Sequence, residues 1–157
     1  MRILLIYLLL LFNLFAKDVN SNNHNQKGVG LKLESNMKED YIKYIQEYES
    51  LIKKYPNKKE LYYNLGNLKS VLGKSEEALE NYKKYLQNID KEDQADVLYN
   101  MGNVMYQTGD YKNSLEMYKN ALSVSPNDRD IRYNYELSRV MLNEQLSKNQ
   151  QEQNKNN

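Results

Sequence analysis

Asn64, Asn100 and Asn134 stand at offsets of 36 and then 34 residues, each directly after a tyrosine, namely Tyr63, Tyr99 and Tyr133. Asn67 and Asn103 follow the first two at the next turn of a helix. A carboxamide can donate and accept at once, as a peptide backbone requires, and a tyrosine ring adds apolar area with a polar tip. Asparagine runs against helix propensity in the middle of a helix, so its recurrence at matched places asks for a reason. Two reasons are open: binding of a peptide segment, or packing of Tyr and Asn between neighbouring repeats.

Other chemistries find little material. The sequence has no cysteine and a single histidine, His24, which lies in the polar stretch Ser21 to Gln26 and reads as a solvated side chain. Disulfides, thiolate chemistry and Cys-based metal sites are excluded, and most acid–base and nucleophilic schemes lose their usual base. There is no glycine-rich phosphate loop and no acidic metal cluster, so no catalytic, cofactor-binding or metal-ligating set is assigned and the chain does not read as an enzyme. Lys and Arg number 22 against 21 Asp and Glu, a balance that gives no field favouring nucleic acid or anionic lipid. Tyr41, Tyr44, Tyr48, Tyr82, Tyr85, Tyr111 and Tyr118 recur at helical spacing and read as core and edge, without the basic track that base stacking needs.

The elements that must position the asparagines are written as a repeat. Leu61 to Asn67 aligns with Val97 to Asn103 and then with Ile131 to Leu137, and Ala78, Leu79 and Tyr82 align with Ser114, Leu115 and Tyr118. A period near 34 residues with this pattern marks stacked helical hairpins. Gly66 and Gly102 remove a side chain where two antiparallel helices cross, which leaves room for Leu79 or Leu115 to pack over the gap. Gly73 and Gly109 each end a helical run, and Ser75 and Asp110 can cap the helix that begins next. Upstream, Asp40 to Asn57 repeats the second-helix pattern of Asp110 to Asn127, so residues 37–57 read as a half-repeat. Downstream, Asn127 is placed to cap a sealing helix over 128–146 that carries Ile131, Tyr135, Val140, Met141 and Leu142. Residues 147–157 are almost wholly Asn, Gln, Lys and Glu and are expected to be disordered.

These residues resemble the tetratricopeptide-repeat family. Repeat 59–92 has Tyr62, Leu65, Gly66, Ala78 and Tyr82 in the family's slots, with Lys69 where Tyr is usual, Tyr85 where Ala is usual and Asp90 where Pro is usual. Repeat 95–128 fits better, with Leu98, Met101, Gly102, Met105, Ser114, Tyr118, Ala121 and Pro126. The resemblance implies an all-α, right-handed stack of about 2.5 to 3 helical hairpins with a C-terminal capping helix. It implies, too, a concave groove in which Tyr63, Asn64, Asn67, Tyr99, Asn100, Asn103, Tyr133 and Asn134 meet a protein partner. A carboxylate clamp needs several Lys or Arg at those slots; Lys59, Lys69, Arg129 and Arg132 lie nearby, but Asp130 opposes an acidic peptide. Residues 95–157, with their Arg132-Tyr133-Asn134 link and Gln/Asn-rich tail, are similar to repeat proteins of bacterial aerotolerance (Bat) operons. That resemblance implies a partner with a von Willebrand factor A domain in the membrane.

The N-terminus supplies a compartment. Met1-Arg2 is a short basic start, Ile3 to Phe12 is unbroken apolar sequence, and Asn13 to Ala16 precedes polar Lys17-Asp18, as in a secretory signal peptide. Residues 1–16 are thus expected to direct export, either cleaved or retained as an anchor that would be the one membrane contact. Residues 17–36 read as a polar linker or a degenerate first helix. The expectation is an adaptor in the periplasm or on the extracytoplasmic face of the membrane, the alternative being a self-associating envelope scaffold.

Overall fold

The computed structural model describes residues 35–155, and the signal segment, His24 and nearly all of the 17–36 linker lie outside the described residues. Among the described residues the fold is all-α: α1 (Ser35–Lys54), α2 (Lys59–Val71), α3 (Ser75–Leu86), α4 (Ala95–Gln107), α5 (Tyr111–Val124) and α6 (Arg129–Lys155), with a short 3-10 segment at Lys91–Asp93. Helices adjacent in sequence pack together, and the first helices of successive hairpins touch one another as well.

Both hairpin turns use the same device. Gly73 and Gly109 take φ of 71° and 79°, a left-handed conformation that costs glycine no Cβ clash. Lys74 N–H then reaches Lys69 C=O at 2.9 Å, and Asp110 N–H reaches Met105 C=O at 2.9 Å, closing the last turn of α2 and of α4. Asp110 caps α5 by accepting from Asn113 N–H at 3.3 Å. Ser75 does not cap α3: the capping position is Lys74, which offers no side-chain acceptor. Nor does Asn127 cap α6, because Asp128 lies closer to the helix start and its carboxylate accepts from the N–H groups of Asp130 (2.9 Å) and Ile131 (3.0 Å).

The unequal repeat offsets have a structural cause. Between α5 and α6 the chain turns at once through Pro126, whereas between α3 and α4, where Asp90 replaces proline, the extra residues are taken up by the 3-10 segment Lys91–Asp93. Both routes deliver the next first helix to the same place.

One cluster joins Ala78, Tyr82, Val97, Met101 and Val104 across α3 and α4. A second joins Leu98, Tyr118, Ala121 and Ile131 across α4, α5 and α6. Burying a side chain such as Val97, fully inaccessible here, contributes about 1.5–3 kcal/mol. A Cβ on Gly66 would fall 2.6 Å from Tyr82 Cε1, and one on Gly102 would fall 2.5 Å from Tyr118 Cε1. The space left by each glycine is therefore filled by a tyrosine ring, not by Leu79 or Leu115. Leu65, Met101 and Ala78 are buried with them, while Pro126 is exposed in its turn.

The α6 helix departs from its expected length. It runs to Lys155, through most of the stretch expected to be disordered, although every residue from Asn143 to Lys155 is exposed. A composition unable to bury a core says nothing against local helix: Gln, Glu and Lys are good helix formers, and they extend a helix already nucleated on α5.

Candidate functional site

The structure brings the matched Tyr and Asn side chains of α2, α4 and α6 together in hydrogen-bonded networks. Asn100 on α4 reaches back to α2, its Nδ2 donating to the Tyr63 hydroxyl (3.0 Å) and to Asn67 Oδ1 (3.1 Å). Asn67 Oδ1 also accepts from the Tyr82 hydroxyl on α3 at 2.7 Å. One repeat later the same four places do the same thing: Asn134 Nδ2 donates to the Tyr99 hydroxyl (3.1 Å) and Asn103 Oδ1 (3.0 Å), and the Tyr118 hydroxyl donates to Asn103 Oδ1 at 2.6 Å. Every network spans three helices, and it repeats because the sequence does.

This geometry divides each carboxamide into an occupied half and an available half. In Asn100 and Asn134 both amide hydrogens are directed at the preceding repeat, leaving Oδ1. In Asn67 and Asn103 both acceptor directions of Oδ1 are filled, and the carboxamide also lies near enough to the Tyr63 or Tyr99 hydroxyl to oppose the rise that burial causes in its pKa, so that Nδ2 is the less engaged end. No buried side-chain N or O among the described residues lacks a hydrogen-bond partner, so these remaining atoms are not fully enclosed. The packing reading of the asparagines accounts for these hydrogen bonds. They lock adjacent hairpins in register, and each hairpin boundary still presents one amide donor (Asn67, Asn103) beside one carbonyl acceptor (Asn100, Asn134).

The ends of the ladder differ. Asn64 has no preceding first helix among the described residues, and its carboxamide instead lies against Tyr48 of α1; burial raises the Tyr48 pKa, and this contact partly offsets it. At the far end Tyr133 is 52% exposed, and Leu137 stands where Asn67 and Asn103 stood, so the acceptor that would pin a further repeat is missing. The stack is written to stop at α6.

The tyrosines sort by burial. Tyr82 and Tyr118 are each 1% exposed, and burial pushes both hydroxyls far above the ordinary phenol range, so both remain neutral donors. Tyr63 packs at 5.0 Å from the Tyr85 ring, and Tyr99 at 5.9 Å from that of Tyr118. Burial raises the pKa of Tyr63 and of Tyr99; the carboxylate of Asp96 adds to the first and those of Asp130 and Asp128 to the second.

Two polar clusters escaped the sequence reading. Lys69, grouped there with cations near the groove, is 6% exposed and lies between Glu49 of α1 (3.0 Å) and Glu77 of α3 (2.9 Å). Burial disfavours its charge, and the two carboxylates outweigh that, so its pKa is raised. The clue was the aligned Met105, which marks the position as an interior one. Ser114 and Ser138, both fully buried, share a hydrogen bond of 3.0 Å. They occupy the slots of Ala78 and Val104 at the preceding boundary, an apolar pair replaced by two hydroxyls that satisfy each other.

Stacked antiparallel hairpins with a matched polar ladder on their first helices define a helical-repeat scaffold. Residues 95–128 match one tetratricopeptide-repeat family and residues 47–80 a second. Among solved structures, that of MamA is similar at a TM-score of 0.61 and 22% identity, covering 76% of this chain and 68% of that one. The tetratricopeptide-repeat domain of Sgt2 from Aspergillus fumigatus is similar at a TM-score of 0.61 and 18% identity, covering 71% of this chain and 74% of that one. No curated protein matches the chain significantly. Residues 47–80 and 95–128 are thus tetratricopeptide repeats, and repeats of this kind support a protein–protein interaction module.

Proposed function

We propose that this protein is a non-enzymatic adaptor, exported to the cell envelope, that holds an extended segment of a membrane-complex partner in the groove formed by α2, α4 and α6. The observation that carries the reading is the pairing of available groups at each hairpin boundary. The Asn67 amide with the Asn100 carbonyl, and the Asn103 amide with the Asn134 carbonyl, complement the C=O and N–H of a peptide backbone. Because the other half of every carboxamide is held by the neighbouring repeat, these groups are preorganised and lose little entropy on binding. Export rests on the basic and apolar start of the sequence. A von Willebrand factor A-domain membrane protein, and a role in aerotolerance or envelope stress, rest on the similarity of residues 95–157 to Bat-operon repeat proteins.

The alternative, a self-associating scaffold, draws on the exposed apolar residues of α6, Val140 (49%) and Leu146 (50%). Site-specific photo-crosslinking in cells separates the two. A crosslinker at Tyr133 or Asn64 should capture a membrane protein carrying an A domain, and one at Lys119 on the opposite face should not. Crosslinks from all three positions to further copies of this chain would favour the scaffold and overturn the adaptor.

A further inference from the structure

Among the described residues the stack begins with a second helix that has no first. In α3 and α5 the rings of Tyr82 and Tyr118 are sealed to 1% exposure against the glycine of their own first helix. Tyr48 holds the same slot in α1 and stays half-buried. Tyr44 stands where Ala78 and Ser114 are fully enclosed, and Leu51 where Ala121 is; both are larger than those slots hold elsewhere, and both are half-buried.

The chain upstream is not written to close this face. Glu39 takes the place of Gly73 and Gly109, which turn at positive φ, and α1 runs through it from Ser35, so the turn that would fold a first helix back is missing. Between Lys17 and Glu34 the sequence sets Gly28, Gly30 and four asparagines among Val19, Val29, Leu31 and Leu33, the last three alternating instead of following helical spacing.

What α1 presents is a seam. Tyr41, Tyr44, Tyr48, Leu51 and Tyr55 follow one another at intervals of 3, 4, 3 and 4, the heptad spacing that packs one helix lengthwise on another. Tyr55 continues the helical bonding, its N–H reaching Leu51 C=O at 2.8 Å, and is 40% exposed. Along the edge away from buried Ile45 run Asp40, Lys43, Glu47 and Lys54, all exposed and in no ion pair among the described residues. Lys54 Nζ lies 5.3 Å from the centre of the Tyr55 ring, which keeps its charge beside the seam.

We propose that α1 pairs with α1 of a second copy of this chain, antiparallel about a two-fold axis between Tyr44 and Tyr48. In that register Asp40 faces Lys54 of the second copy and Glu47 faces its Lys43, each contact occurring twice, whereas a parallel pair would set like charge on like. The pairing is independent of the groove reading, whose ladder lies on α2, α4 and α6, and a closed two-fold pair builds no open-ended scaffold.

The test uses the full chain, which has no cysteine of its own. Asp40→Cys and Lys54→Cys chains, with helicity checked by circular dichroism, are mixed and treated with a short bis-maleimide cross-linker. The mixture should yield a dimer joining the two variants, and either alone should yield little, because antiparallel pairing sets each new cysteine about 20 Å from its counterpart. In the same cysteine chains Lys43→Glu, which faces acid with acid at two symmetric places, should weaken the pairing about fivefold, and Lys43→Glu/Glu47→Lys should restore it. A mixture that yields no dimer would mean that another molecule covers α1 and would overturn the pairing. Equal yields from either variant alone, or a yield unmoved by Lys43→Glu, would overturn it as well.

Discussion

The Tyr82 hydroxyl donates to Asn67 Oδ1 at 2.7 Å, across the hairpin from α3 to α2, while the ring of the same tyrosine fills the space that Gly66 leaves open. One side chain thus closes the helix crossing and fixes the asparagine of the ladder, and Tyr118 repeats both tasks with Gly102 and Asn103.

Removing the hydroxyl alone isolates the second task. Tyr82→Phe and Tyr118→Phe are each expected to cost about 0.5–1.5 kcal/mol in denaturant unfolding, with helicity unchanged. The raised phenol pKa values set the pH dependence. A group with its folded pKa above the unfolded value of 10.0 contributes fully below pH 10.0 and loses that contribution as the pH rises toward the folded value. Wild-type stability should therefore fall on the alkaline side of 10.0, and the double Phe variant should fall less steeply.

The first task is probed at glycine. Gly102→Ala would place a Cβ 2.5 Å from the Tyr118 ring and should cost about 1–3 kcal/mol by forcing the helices apart. Gly109→Ala meets nothing within 4 Å and pays only for its φ of 79°, about 1–2 kcal/mol. Loss of near-ultraviolet circular dichroism from the tyrosines should accompany the former and not the latter.

The buried cation gives a paired prediction. Lys69→Met, copying Met105 in the next repeat, frees two half-exposed carboxylates to regain water and should stay within about 1 kcal/mol of wild type at neutral pH. The double variant Glu49→Gln/Glu77→Gln strands the ammonium and should cost about 1–3 kcal/mol. Glu77 has its pKa lowered, chiefly by its hydrogen bond from Lys69, so its contribution is present above 4.5 and lost as the pH falls through the lowered value. Lys69, with its pKa raised, contributes below 10.5 and loses that as the pH climbs through the raised value. Lys69→Met should flatten stability at both extremes in a pH series of urea melts.

The serine pair predicts non-additivity. Ser114→Ala or Ser138→Val alone leaves one buried hydroxyl without its partner and should cost about 1–3 kcal/mol. Together they restore the apolar pairing of Ala78 and Val104, and the double variant should be more stable than the sum of the two singles.

Much of this architecture was legible in the sequence because the repeat compares the chain with itself. Gly66, Gly102, Tyr82 and Tyr118 are conspicuous once aligned, as are Gly73 and Gly109 at the turns. What escaped was the direction of individual side chains. Lys69 and Asn67 share one helix, yet one points into an ion-paired interior and the other to the groove face, and periodicity alone does not tell which neighbour will neutralise a charge. Whether Asn100 packs or binds stayed open in the sequence because its partners, Tyr63 and Asn67, lie in the preceding repeat. The tail after Leu146 was misread because lack of apolar surface bears on packing and not on helix extension.

The half-occupied ladder is tested most directly by hydrogen exchange of asparagine side-chain amides in the free protein, followed by NMR. The Nδ2 protons of Asn100 and Asn134, held by Tyr63 with Asn67 and by Tyr99 with Asn103, should exchange slowly, while those of Asn67 and Asn103 exchange at the rate of exposed carboxamides. Uniformly fast exchange at all four asparagines would mean that the repeats are not locked through them, and would contradict the account.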